Sequence, residues 1–205
     1  MAKETRLRII EKSLGVFLKH GYEGASLKNI CYETGLTKGA LYHYFSGKKE
    51  LYKATVDYFF SQSALPEWIK NKPASIKELI EKVFIAVDAS YHQIKKRTRI
   101  SSDNAILFFY EFLYEATRLF PEYQRLIDEH DATKYQILTS YFVEAQQRGE
   151  VRSDLDPHLL SIELYALQQQ MIYLRFVNPW IKTHKTILLD LAAQFLKKIE
   201  VNDVH

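Results

Sequence analysis

Apolar positions fall at helical spacing along nearly the whole chain. Over residues 4–20, Leu7, Ile10, Leu14, Phe17 and Leu18 stand at i, i+3, i+7, i+10 and i+11, one stripe of a helix. Gly21 predicts its end, and Lys19 and His20 suit the negative pole of its dipole. Ser26 is placed to cap a short helix over about 27–34 that turns Leu27 and Ile30 inward. Gly35 can take the left-handed conformation that a tight turn requires. Thr37 then caps a second short helix over about 38–44. Ser46-Gly47 breaks the chain again, and a longer helix runs from about 47 to the loop before Pro66.

Beyond Pro66 the elements lengthen. Asn71-Lys72-Pro73 marks a break before a helix over about 74–96, with Ile76, Leu79, Ile80, Val83, Phe84 and Val87 on its apolar face. Ser101-Ser102-Asp103 is a cap cluster for an aromatic helix to about 119. Pro121 suits the first turn of a helix that reaches about Arg148, before Gly149. Asp156-Pro157 pairs a cap with a first-turn proline and opens a helix to about Val177, which Asn178-Pro179 ends. A last helix covers about 183–200. The expectation is an all-α chain of about nine helices and no convincing strand. A unit of short helices occupies residues 1–46, and a larger helical bundle occupies 47–205.

Composition narrows the class. The 205 residues are 47% hydrophobic and 26% charged, close to the globular average, which excludes disordered and fibrous classes. Seven Gly and five Pro are few for a turn-dense all-β fold. The single cysteine, Cys31, can form no internal disulfide and excludes a cysteine-only zinc site. The N-terminus lacks the apolar region of a signal peptide, and no run approaches 18 apolar residues, so no membrane association and a cytoplasmic home are expected. The net charge of +3 is unevenly placed. Residues 1–50 hold seven Lys and two Arg against five Glu, so the rest of the chain is near neutral. A basic N-terminal unit on a neutral body points to a polyanion partner, and a solvated basic face gives the same count.

The stretch from Gly21 to Leu51 gives that charge a shape. A capped short helix, a glycine turn and a second short helix with Lys38, Gly39, Tyr42, His43 and Tyr44 on its outer side describe a helix-turn-helix, whose second helix enters the major groove. Gly39 and Ala40 let the backbone approach the groove closely. Lys38 can reach phosphate or a guanine edge. Tyr42 and Tyr44 offer an apolar body for a thymine methyl and a hydroxyl for phosphate, and His43 can donate to either. Lys48 opens the next helix, where backbone N–H groups and a cation favour phosphate, and Ser26 and Lys28 do similar work one helix earlier. The residues expected to meet DNA are therefore Ser26, Lys28, Thr37, Lys38, Gly39, Ala40, Tyr42, His43, Tyr44 and Lys48. Leu27, Ile30, Cys31, Leu36, Leu41 and Phe45 form the inward set.

These residues resemble the TetR/AcrR family of bacterial transcriptional regulators. The resemblance rests on Gly21-Tyr22, Ser26-Leu27, Ile30, the run from Gly35 to Phe45, Lys48 and Leu51, and it covers about residues 5–55. A weaker echo lies in Gly149–Pro157. Cys31 departs from the pattern, which usually has Ala there; on the inward side it reads as a packing variant, with a redox-sensing thiol as the alternative. The resemblance implies a ligand-responsive repressor: a homodimer, a palindromic double-stranded operator, and a small, largely apolar effector that binds the C-terminal body and releases DNA.

The dimer has separate support. Both C-terminal helices are apolar nearly all round, so each needs cover on two faces. Leu160, Leu164, Leu167 and Met171, with Leu188, Leu191 and Phe195, are the expected interface residues of a four-helix arrangement. A central buried helix in a monomer gives the same pattern. For the effector, the expected lining is Phe84, Tyr91, Phe108, Glu111, Phe112, Glu115, Tyr141, Gln168 and Gln169. The aromatics equally fit plain core. At least one of Gln168-Gln169-Gln170 should point inward, where its amide must be satisfied. Glu111 and Glu115 share a helix face that could hold a lipophilic cation, whereas a surface pair of Glu115 with Arg118 is the simpler alternative. Nothing supports an enzyme: there is no Gly-rich phosphate loop and no His-Glu-x-x-His spacing. The histidines are scattered, so no metal site and no cofactor are expected. A helical protein-binding adaptor with a solvated basic face is the remaining alternative, and steep salt dependence of DNA binding separates it from a regulator.

Overall fold

The computed structural model describes residues 2–62, 67–98, 105–176 and 185–201, which carry ten helices. The N-terminal region holds α1 (Ala2–Gly24), α2 (Leu27–Thr34), α3 (Lys38–Tyr44) and α4 (Lys48–Ser61). The C-terminal region holds α5 (Glu67–Lys70), α6 (Ile76–Thr98), α7 (Ala105–Leu119), α8 (Glu122–Gln147), α9 (Pro157–Phe176) and α10 (Lys185–Ile199). The fold is all-α, with an N-terminal helix-turn-helix and a C-terminal helical domain. The helix that the periodicity omits is α5, whose four residues are too few to show a period. An isolated bridge pairs Val151 with Glu200.

Local chemistry sets the helix ends. Gly21 breaks α1 with φ +66°, so the segment before it is the helix proper. The Ser26 side chain accepts from the Asn29 N–H at 3.1 Å, and Thr37 Oγ1 from the Ala40 N–H at 3.2 Å. Gly35 sits in the left-handed region, and its N–H closes α2 on the Cys31 carbonyl at 2.9 Å. Gly149 follows α8 with φ +72°. Asp156 Oδ1 accepts from the His158 N–H at 2.7 Å, with Pro157 in the first turn of α9. The Ser101–Asp103 cap cluster, Pro66 and Asn178-Pro179 lie outside the described residues.

The chain divides into two compact units, Met1–Ala64 with Gln93–Arg125, and Leu65–His92 with Leu126–His205. In the first, α1 packs on α2, α4 and α7 around Phe17, Leu18, Ile30, Leu51, Tyr52 and Phe112. Being covered on three sides, α1 buries Ile9, Ser13 and Val16 as well as the predicted Ile10, Leu14, Phe17 and Leu18. Its buried arc turns away from Leu7, which is 44% exposed rather than inward. In the second unit Trp68, Leu79, Phe84, Leu138, Phe142 and Leu164 are buried. Among the described residues no helix is long and apolar enough to cross a membrane.

Candidate nucleic-acid interface

The short helices α2 and α3 have few residues with which to stabilise themselves, so their inner faces and caps must hold them. Ile30, Leu41 and Phe45 are buried, and Leu27, Cys31 and Leu36 pack against the same core half-buried. That anchoring turns Lys38, Gly39, Tyr42 and His43 of α3 outward to solvent, with Ser26, Lys28 and Thr37 also exposed. Ala40 is half-buried. Tyr44 is half-buried too, with its ring edge-on to His43 at 5.1 Å and its body against the core. The Lys38 ammonium lies 5.8 Å from the Tyr42 ring centroid. Beside them, Arg6 stacks its guanidinium 4.7 Å over Phe45. At the α3–α4 turn the Glu50 carboxylate accepts from both the N–H and the hydroxyl of Ser46 at 2.7 Å. Those hydrogen bonds, the backbone one first, hold its carboxyl below the usual range.

Lys48 has a partner that the sequence does not show. Its Nζ donates to the carbonyls of Tyr22 at 2.8 Å and Glu23 at 3.4 Å, and it lies 4.4 Å from the Tyr22 ring centroid. It therefore ties the start of α4 to the end of α1.

The residues expected to line an effector site fall in both units. Phe108, Glu111, Phe112 and Glu115 are on α7 in the first: Phe112 is buried, Phe108 and Glu115 are half-buried, and Glu111 is exposed. Glu115 accepts the Tyr22 backbone N–H at 2.7 Å. Phe84, Tyr141, Gln168 and Gln169 are in the second unit, and the Tyr91 side chain lies outside the described residues. Gln168 does point inward, and its Nε2 donates to the Val83 carbonyl at 2.7 Å. Tyr141 donates to the Trp68 carbonyl at 3.3 Å and borders a small cleft with Lys72, Ile76, Leu79, Glu144 and Arg148. A polar group that helical periodicity does not reveal joins α8 and α9. The Tyr165 hydroxyl donates to Asp131 at 2.9 Å and accepts from Lys134 at 3.1 Å. Burial, then the Asp131 charge, pushes that phenol well above its usual range. Among the described residues no cluster of His, Cys, Asp or Glu could hold a metal.

On the C-terminal helices, Leu160, Leu164, Leu188 and Phe195 are buried in the chain's own core, while Leu167, Met171 and Leu191 are half-buried. Leu159, Ile162 and Tyr173 of α9 and Leu189 of α10 are exposed.

Comparison with known proteins agrees with this geometry. Residues 9–55 match the family described as bacterial regulatory proteins, tetR family. TtgW of Pseudomonas putida, an uncharacterised HTH-type transcriptional regulator, is 46% identical over 55 residues, 27% of this chain and 41% of TtgW, so that match spans less than half of its length. The HTH-type transcriptional regulator UidR of Escherichia coli is 27% identical over 160 residues, 78% of this chain and 76% of UidR. The structure of AibR, solved with isovaleryl coenzyme A and operator DNA, superposes with a TM-score of 0.59 at 20% identity, covering 93% of this chain and 97% of AibR. The chain is thus similar over residues 9–55 to the tetR family of bacterial regulatory proteins, and over 160 residues to an HTH-type transcriptional regulator.

Proposed function

We propose that this protein is a DNA-binding transcriptional regulator of the TetR kind, a repressor that binds a palindromic operator as a homodimer and leaves it when a small, largely apolar effector occupies the body. The observation that carries this reading is the outer face of α3. Buried Ile30, Leu41 and Phe45 hold that helix, and Lys38, Gly39, Tyr42 and His43 face solvent on it. Residues 1–46 form the DNA-binding domain, where Ser26, Lys28, Thr37, Ala40, Tyr44 and Lys48 support the same four residues. Residues 47–205 form the effector-binding and dimerisation domain.

The homodimer is supported by apolar residues on the outer side of α9, where Leu159, Ile162 and Tyr173 reach solvent beside half-buried Leu167 and Met171, with exposed Leu189 and half-buried Leu191 on α10. Large apolar side chains left exposed on both terminal helices are what a self-complementary interface needs. Two heads on a twofold axis then match half-sites about one helical turn, ~34–36 Å, apart or a multiple of it. An effector that binds better when the heads are apart shifts the population away from the DNA-competent form. AibR, bound to an acyl-coenzyme A as well as operator DNA, supports a small-molecule effector here. In the second unit, Tyr141 and Gln169 are the half-buried members of the expected effector lining. The test is selection of bound sequences from random duplex DNA at two salt concentrations. An enriched palindrome, lost at the higher salt, is expected; no enrichment at either salt refutes the reading.

A further inference from the structure

The segment between Gly21 and Ser26 decides where α2 begins, and its backbone is gripped from two sides. On one side the Tyr22 N–H donates to Glu115 Oε2 of α7 at 2.7 Å. On the other the Tyr22 carbonyl accepts from Lys48 Nζ of α4 at 2.8 Å. The Tyr22 ring lies between the Lys48 ammonium, 4.4 Å from its centroid, and the Tyr52 ring at 5.0 Å. Tyr52 in turn donates to the Phe112 carbonyl at 3.1 Å, one turn before Glu115 on the same helix. So α7 reaches this segment twice, once through the Glu115 carboxylate and once through Tyr52.

Gly21 makes the grip sterically feasible. A Cβ there would lie 3.0 Å from Glu115 Oε1 and 3.2 Å from Oε2, and its φ of +66° already disfavours other residues. The glycine that breaks α1 therefore also leaves room for the carboxylate. The carboxylate gives a part-buried backbone donor its acceptor, and taking that acceptor away leaves the donor unsatisfied, which costs more than exchanging it for a neutral one at the same reach.

We propose that Glu115 is a positioning residue for DNA recognition: from α7 it holds the Tyr22 backbone, and through it the start of α2 and the setting of α3. This rests on the DNA-binding reading above. Removing the acceptor leaves the helix-turn-helix folded around Ile30, Leu41 and Phe45 but loosens the segment that orients it.

The test uses the full-length protein with Glu115→Ala, Glu115→Gln and Glu115→Asp, read by amide hydrogen exchange over residues 22–44 and by affinity for the operator selected with the unsubstituted protein. Glu115→Ala is expected to speed exchange at Tyr22 and into α2, and to weaken operator binding by roughly tenfold or more while the protein stays folded. Glu115→Gln keeps an acceptor at the same reach and should stay within about threefold of the parent. Glu115→Asp keeps the charge but withdraws it by one methylene, and should bind DNA worse than Glu115→Gln. A purely electrostatic role reverses that order and overturns the proposal. So does a purely structural role, in which melting temperature falls but the folded variants bind fully. If the parent selects no DNA, the functional reading fails and the exchange arm still decides: unchanged Tyr22 exchange in Glu115→Ala, or in Glu115→Asp should the alanine variant not fold, overturns the clamp, and faster exchange sustains it.

Discussion

Substituting Ile162 with Glu separates the two faces of α9. Ile162 is 40% exposed in the single chain, whereas Leu164, two residues on, is fully buried. Burying an isoleucine side chain is worth about 2.5 kcal/mol, so the exposed part carries about 1 kcal/mol that a dimer can still gain. An isologous interface contains each residue twice, which makes the loss about 2 kcal/mol, a weakening of dimerisation of roughly thirtyfold. The carboxylate adds a desolvation penalty on top, so this figure is a lower bound. Leu164→Ala should behave differently, costing about 2–5 kcal/mol of folding stability through the cavity it leaves. Sedimentation equilibrium and thermal melts at several protein concentrations read both effects. The expected result for Ile162→Glu is a folded protein that dissociates at concentrations where the parent is dimeric, with operator affinity lost in proportion. A dimer of unchanged stability would refute the placement of the interface on the exposed side of α9.

Three further outcomes follow from the same structure. Gly39 has open space where a Cβ would stand and no left-handed φ, so Gly39→Ala should stabilise the fold by up to about 1 kcal/mol of helix propensity and raise the melting temperature slightly, yet weaken operator binding in a gel-shift titration if, as proposed, the exposed face of α3 meets the groove. Gly35 also has open space but sits at φ +72°, so Gly35→Ala should cost about 1–2 kcal/mol from backbone strain alone, measured by urea denaturation. Burial, with the Glu115 charge second, raises the Tyr52 phenol above its ordinary value, so folding favours its protonated form. The stability this lends is present below a tyrosine's usual pKa of about 10 and lost as pH rises beyond it, and Tyr52→Phe should flatten the alkaline fall in melting temperature.

What the sequence shows of this protein is what depends on near neighbours. Gly21, Gly35 and Gly149 all read as breaks and all have positive φ, and the Ser26, Thr37 and Asp156 caps act within three residues of themselves. The helix-turn-helix is therefore legible, since its geometry is mostly caps and a glycine turn. Periodicity locates an apolar arc on α1 but cannot say which edge a neighbour covers, which is why Leu7 is exposed and Ile9 buried. The same limit applies to α9, where being apolar all round hides the difference between Leu164 and Ile162. Glu115 lies 93 residues from Tyr22, and Lys48 lies 26 from it. No spacing rule predicts that a carboxylate on α7 and an ammonium on α4 meet the same residue. Both are side chains that local reasoning sends elsewhere, Glu115 to Arg118 or a ligand and Lys48 to phosphate. In the folded chain each also meets a backbone group of Tyr22, and backbone groups carry no sequence signature. A helix-turn-helix can thus be recognised from its own residues while the groups that set its orientation remain invisible until the chain is folded.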